Sequence, residues 1–215
     1  YIDEKFKTNI QGCIDNNLDY GLYHVMYATT IDMAKAKAQH FLNTIKGYKP
    51  TYPVVLDLER WDENANCSGE LLTDMAIAFC DIIEKAGYYI VIYANKSWLT
   101  GVLNYNRLKR FDIWLAQWSD KATWTGNFGL WQYDNSGKVD GINGNVDMNI
   151  SYKDYPKIIK NNNFNGWGKE VVVKPVVKPV AKQSFKKGDK VVVLKAIDYN
   201  GKPFKTWFKT YTVRE

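Results

Sequence analysis

Apolar positions in the first 168 residues follow two alternating periods. Short runs dense in Val, Ile, Leu and Tyr read as strands: GLYHVMYA (21–28), YPVVLDLE (52–59), YYIVIYAN (88–95) and FDIWLAQW (111–118). Between the first three, TIDMAKAKAQHFLNTI (30–45) and GELLTDMAIAFCDIIEKAG (69–87) repeat their apolar positions at helical spacing. Thr30 is a suitable N-cap, and Gly47 and Gly87 stand where these helices should stop. A shorter helix is expected near Leu103–Lys109. FGLWQYD (128–134), a Ser136-Gly137 turn and NVDMNIS (145–151) then close the region as two strands. Alternation of strand and helix argues for a parallel α/β core. Two final strands with no long helix between them make it an irregular (β/α) barrel.

Asp57 and Glu59 interrupt this pattern of burial. They end an apolar strand one residue apart, so they share a face about 6–7 Å apart along the backbone while Leu56 and Leu58 take the other. With 23 acidic residues in 215, an acid-x-acid triplet arises by chance about twice, so context has to decide. The context is favourable, because barrels of this kind keep their chemistry at the C-terminal ends of the strands. Asn145, Asp147 and Asn149 likewise share one face of the last strand. A sheet that closed would bring Asp147 to the pair. Two or three carboxylates in an aromatic-lined cleft suit glycoside hydrolysis, in which one acid protonates the leaving oxygen and another stabilises the developing positive charge.

Charge separates the chain into two parts. Residues 169–215 hold 12 Lys and Arg against 4 Asp and Glu, whereas the first 168 hold 17 against 19. Residues 169–184 repeat Val-Val-Lys-Pro and read as an extended linker. Residues 185–215 carry a Gly188-Asp189 turn, a β run at Val191–Leu194 and the hairpin signal Asn200-Gly201, which together suggest part of a small all-β module.

Composition narrows the classes of function. The chain is 46% apolar and 15% aromatic, with 8 Trp and 15 Tyr, enough for a packed core and for aromatic surfaces that line sugar sites. No run reaches the length of a membrane span, and the opening YIDEKFKTNI does not read as a signal peptide, so cytoplasmic synthesis without membrane association is expected. Cys13, Cys67 and Cys80 are odd in number and unpaired in spacing, which suggests free thiols. His24 and His40 are too isolated to suggest a metal site, so neither metal nor cofactor is expected. The basic tail lacks an RNA-binding motif or interleaved stacking residues. An anionic polymer other than nucleic acid suits it better.

The segments YPVVLDLER, IAFCDIIEKAGYYIVIYANKSWL, FDIWLAQW and LWQYDNSGKVDGINGNVDMN resemble glycoside hydrolase family 25, the lysozymes (N-acetylmuramidases) common among phage endolysins. The resemblance runs from residue 1 to about 156, in order. It implies an irregular barrel and cleavage of the β-1,4 bond between N-acetylmuramic acid and N-acetylglucosamine in bacterial peptidoglycan. Carried over by position, it makes Glu59 the general acid, Asp57 its companion and Asp147 the carboxylate of the last strand. Tyr1, Tyr93, Gln117 and Trp131 become candidates for stacking on sugars or bonding their N-acetyl groups. The family begins with strands that precede YIDEKFKTN, so a catalytic domain over 1–168 lacking its first strands is expected. Residues 185–215 resemble part of a bacterial Src-homology-3-like wall-binding module. A monomer acting on the bacterial cell wall is expected, with a peptidoglycan-binding protein that has lost turnover as the alternative.

Overall fold

The computed structural model describes residues 1–61, 63–168, 190–192 and 210–212. The chain divides into two units, Tyr1–Val171 and Val172–Glu215. In the second unit the described residues form two short strands, β7 (Lys190–Val192) and β8 (Thr210–Thr212), paired antiparallel. The expected linker and the remainder of the expected wall-binding module lie outside the described residues.

The first unit runs α1 (Phe6–Asp15), β1 (Leu22–Val25), α2 (Ile31–Ile45), β2 (Val54–Asp57), α3 (Gly69–Lys85) and β3 (Ile90–Asn95). It continues through α4 (Lys96–Gly101), α5 (Tyr105–Leu108), β4 (Asp112–Ala116), β5 (Leu130–Gly137), β6 (Val146–Ser151) and α6 (Tyr155–Asn161). Both long helices are capped by a side chain: the expected Thr30 accepts from Met33 N, and Ser68 accepts from Leu71 N. Gly47 and Gly87 end them with positive φ, a conformation most side chains avoid.

Six strands form one sheet in chain order, parallel from β1 to β5, with β6 returning antiparallel to β5. The sheet curls into a half-barrel and does not close, since β1 and β6 are its two edges. Its convex face is apolar. Leu22, Val54, Leu56, Leu58, Ile90, Ile92, Ile113, Leu115 and Trp131 join α2 and α3 residues such as Phe41 and Phe79 in the main core. Removing most of a fully buried Leu56 side chain from such a layer costs about 2–5 kcal/mol.

The concave face is divided along its length. At the N-terminal ends of the strands α6 plugs the trough: Tyr155 and Ile159 pack with Leu130 in a second cluster that also touches Tyr52, Tyr89 and Trp114. Asp154 caps α6 by accepting from Lys157 N. Asp112 lies beneath it and accepts from the Tyr155 hydroxyl (2.7 Å), the Tyr89 hydroxyl (3.2 Å) and Lys153 Nζ (2.8 Å). Gly129 makes room for this cluster, since a Cβ there would strike the Tyr155 hydroxyl. The C-terminal half of the trough stays open.

Candidate active site

Parallel pairing places residues of like orientation side by side. Asp57 of β2 stands between Val25 of β1 and Tyr93 of β3, and Tyr93 stands beside Trp114 of β4. One step further along, Ala116 of β4, Gln132 of β5 and Asn149 of β6 form the next row. The ladder continues past the end of β2, because Leu58 N donates to Tyr93 O (2.9 Å) and Met26 N to Asp57 O (3.0 Å). Leu58 is therefore buried on the convex side, and Asp57 and Glu59 both face the trough. The loop beyond is held by Asn64, itself buried: its Nδ2 donates to Glu59 O (2.9 Å) and to Met26 O (3.3 Å), and its Oδ1 accepts from Trp61 N (3.0 Å).

A cleft of about 170 Å³ opens over this row. Its floor carries Val55, Asp57, Tyr93, Trp114 and Gln132, and Glu59, Tyr23 and Asp147 line it as well. Asp147 comes from the far edge strand. Two register shifts bend β5 against β6, between Gln132 and Asp134 and again before Gly137, and swing the end of β6 over the trough. Trp114 Nε1 donates to Asn149 Oδ1 (2.8 Å) and ties β6 to the floor. Asp147 thus meets the Asp57–Glu59 pair through curl and bulge, without the strand-to-strand closure that the sequence suggests.

Electrostatically the cleft is dominated by acids. Burial first, then the charge and contact of Glu59, push the Asp57 carboxyl up to about 8. Asp57 Oδ1 is buried and has no hydrogen-bond partner among the described residues. The Tyr93 hydroxyl is pushed up by burial, then by Glu59, Asp57 and Asp147, and Tyr23 by burial, then by Asp57, with Asp147 contributing least. Asp147 therefore acts on tyrosines of both β1 and β3. Among the described residues there is no group of three or more His, Cys, Asp or Glu placed to hold a metal ion.

The predicted site residues separate accordingly. Asp57, Glu59, Asp147 and Tyr93 share the cleft. Tyr1 is almost fully exposed and does not line it. Two expectations need correction. Trp131 lies in the convex core, its Nε1 donating to Gln117 O (2.8 Å), because alternation along β5 turns it opposite to Gln132. Gln117 braces the loop after β4, with Nε2 on Ser119, Lys121 and Thr123 and Oε1 accepting from Thr123 N and Trp124 N. Gln132, Trp114 and Tyr23 were not expected in the cleft. Counting two-residue steps from Asp57 across a parallel register would have found Trp114, but the sequence does not supply the register. The bulges in β5 hide Asp147 still further.

Comparison with known proteins places this geometry in context. The model of the family described as Glycosyl hydrolases family 25 matches residues 1–142, ending before Asp147. Lysozyme M1 of Streptomyces globisporus is 30% identical over 167 residues, covering 69% of this chain and 55% of its own. The solved CTP1L endolysin superposes with a TM-score of 0.65 at 30% identity, covering 75% of this chain and 57% of its own. The bacterial lysozyme from Streptomyces coelicolor shares the fold with a TM-score of 0.63 at 22% identity, over 75% of this chain and 82% of its own. The chain spans about half the length of the curated relatives it matches.

Proposed function

The chain belongs to glycosyl hydrolases family 25, and from that premise we propose that it is a lysozyme of the endolysin type, cleaving the β-1,4 bond that follows N-acetylmuramic acid in bacterial peptidoglycan. The observation that carries this reading is the buried acid pair: Asp57 holds its proton to about pH 8 beside Glu59, on a floor of aromatic rings.

Two carboxyls this close titrate as a unit, so near neutrality the pair carries one proton. Glu59 stands one strand step nearer the rim on a loop fixed by Asn64, and it takes the proton that Asp57 holds and passes it to the glycosidic oxygen. Water then bonds to the anomeric carbon, and the proton it gives up restores the acid pair, with Asp57 lower in the trough as its holder. Asp147 approaches from the opposite rim, exposed, and its carboxyl oxygens stabilise the positive charge that develops at the anomeric carbon as the bond breaks. Tyr93 and Trp114, edge to face with centroids 5.1 Å apart, give the sugar an apolar wall. The relatives' names point the same way: one is an autolytic lysozyme of Clostridium acetobutylicum, 26% identical over 149 residues. The basic residues of 169–215 suit attachment to an anionic wall.

The test is digestion of purified cell walls, borohydride reduction and analysis of the reduced ends. Reduced N-acetylmuramic acid is the expected product. Reduced N-acetylglucosamine would mean that the other glycosidic bond is cut, and absence of new ends would leave a binding protein.

A further inference from the structure

Asp147 lies where the sheet does least to hold it. Strand β6 is an edge, and its residues are exposed or half-buried throughout. The ladder pairs Gln132 with Asn149, Asp134 with Met148 and Gly137 with Val146, so the second register shift falls at Asp147. A bulge breaks the regular exchange of backbone hydrogen bonds at such a position. As an edge, the strand is also held from one side only among the described residues.

Asn149 supplies what the ladder does not. Its Nδ2 donates to the Asp147 carbonyl oxygen (3.1 Å), and its Oδ1 accepts from Trp114 Nε1 (2.8 Å). Both ends of the amide are assigned by chemistry, because an indole N–H can only donate and a peptide carbonyl can only accept. Trp114 is a central anchor: half-buried on β4, it stands between Tyr93 of β3 and Leu130 of β5 and meets the Tyr93 ring edge to face. Just before β6, Asn145 Oδ1 accepts from Lys138 Nζ (2.7 Å), which also donates to Gly144 O (2.9 Å) and closes the hairpin. Asp147 therefore lies between two asparagines whose side chains tie the chain down, one to the cleft floor and one to the hairpin end.

Resting on the lysozyme reading above, we propose that Asn149 is the positioning residue of Asp147. It carries the placement of the Trp114 indole to the Asp147 backbone at the bulge, and so holds that carboxyl over the bond being cut. A charge-stabilising group displaced by about 1 Å can lose on the order of 10²-fold in rate, so the tether bears directly on turnover. Trp114 is then both wall and anchor.

Asn149→Leu removes both ends of the amide at similar volume. In the full chain it should lower kcat on cell-wall glycan about 10- to 100-fold. KM should move less than about 2-fold, because the disturbed contact acts only as charge develops. Asn149→Asp keeps the acceptor for Trp114 but sets an oxygen against the Asp147 carbonyl, and should lose rate likewise. In an Asp147→Asn background neither change should lower kcat further, since the group being placed is gone. Unchanged kcat in either single variant, or equal losses with and without Asp147, overturns the proposal.

A second readout does not depend on turnover. Backbone nitrogen relaxation should show the Asp147 and Met148 amides losing order in Asn149→Leu, while Ile150 and Ser151, paired with Trp131 and Leu130, keep theirs. Equal order at Asp147 in parent and variant overturns the proposal. A chain that cuts no wall yet loses order there refutes the lysozyme reading and leaves the tether standing.

Discussion

Asp112 and Asp57 are carboxylates on the same concave face of one sheet, and their surroundings are opposite. Asp112, 5% exposed, accepts from two tyrosine hydroxyls and a lysine, with Ile113 N (3.0 Å) on its other oxygen. Asp57 has a buried oxygen without a partner among the described residues, and its nearest charge is another acid. A buried acid with every lone pair engaged fixes structure. A buried acid left unsatisfied beside a like charge is costly to the fold and holds its proton instead. The trough thus has a structural end, closed by α6, and a chemical end, left open under the strand termini.

Mutations at the two ends should sort in the same way. The largest effect is expected at the open end: Glu59→Gln keeps shape and removes the transferable proton, lowering wall hydrolysis by about 10²–10⁴-fold with unchanged denaturant unfolding. Near-full activity in that variant would remove Glu59 as the acid. At the closed end, Asp112→Asn strands Lys153 and two buried hydroxyls, and should cost about 3 kcal/mol in urea unfolding while the folded fraction hydrolyses at the normal rate. Loss of activity without loss of stability there would erase the distinction between the ends.

A third buried group, on the convex face, sharpens the contrast with a smaller and conditional effect. His24 stacks against Phe79 (5.4 Å) and near Phe41 (5.5 Å), and its buried Nε2 has no partner among the described residues. Burial first, then Lys37, His40 and the N-terminal amine, lower its pKa from 6.5 to about 4. The fold holds it neutral and the unfolded chain does not. Its contribution is therefore complete above pH 6.5 and is lost as pH falls from 6.5 towards 4, on the order of 2–3 kcal/mol. His24→Phe should flatten the stability profile in that window, and an unchanged slope would contradict the burial account.

Much of the scaffold is legible in the sequence because local rules agree there. The α2 and α3 helices have clear caps, glycine ends and one apolar stripe each, and they form at 31–45 and 69–85. Expected strands at 88–95 and 145–151 appear at 90–95 and 146–151. The α1, α4 and α6 helices were missed: α1 has no side-chain cap bond, and α4 and α6, six and seven residues long, are too short to show a helical period although Asn95 and Asp154 cap them. The acids of the site could be read because their position at the end of an apolar strand is a local feature. Gln132 could not be told from Trp131, since neighbours in a strand face opposite ways and the sequence gives no register.

The central claim is that burial and Glu59 make Asp57 hold a proton through neutrality. Carboxyl-carbon NMR titration of the full chain tests it directly. One carboxyl should titrate at about 8 and vanish in Asp57→Asn. Such a group stabilises the fold most below pH 4, and that contribution is lost as pH rises from 4 through 8, so Asp57→Asn should gain stability relative to the parent across that range. Finding every carboxyl of the chain titrating in the ordinary range near 4, with parent and variant stabilities parallel in pH, would contradict the account.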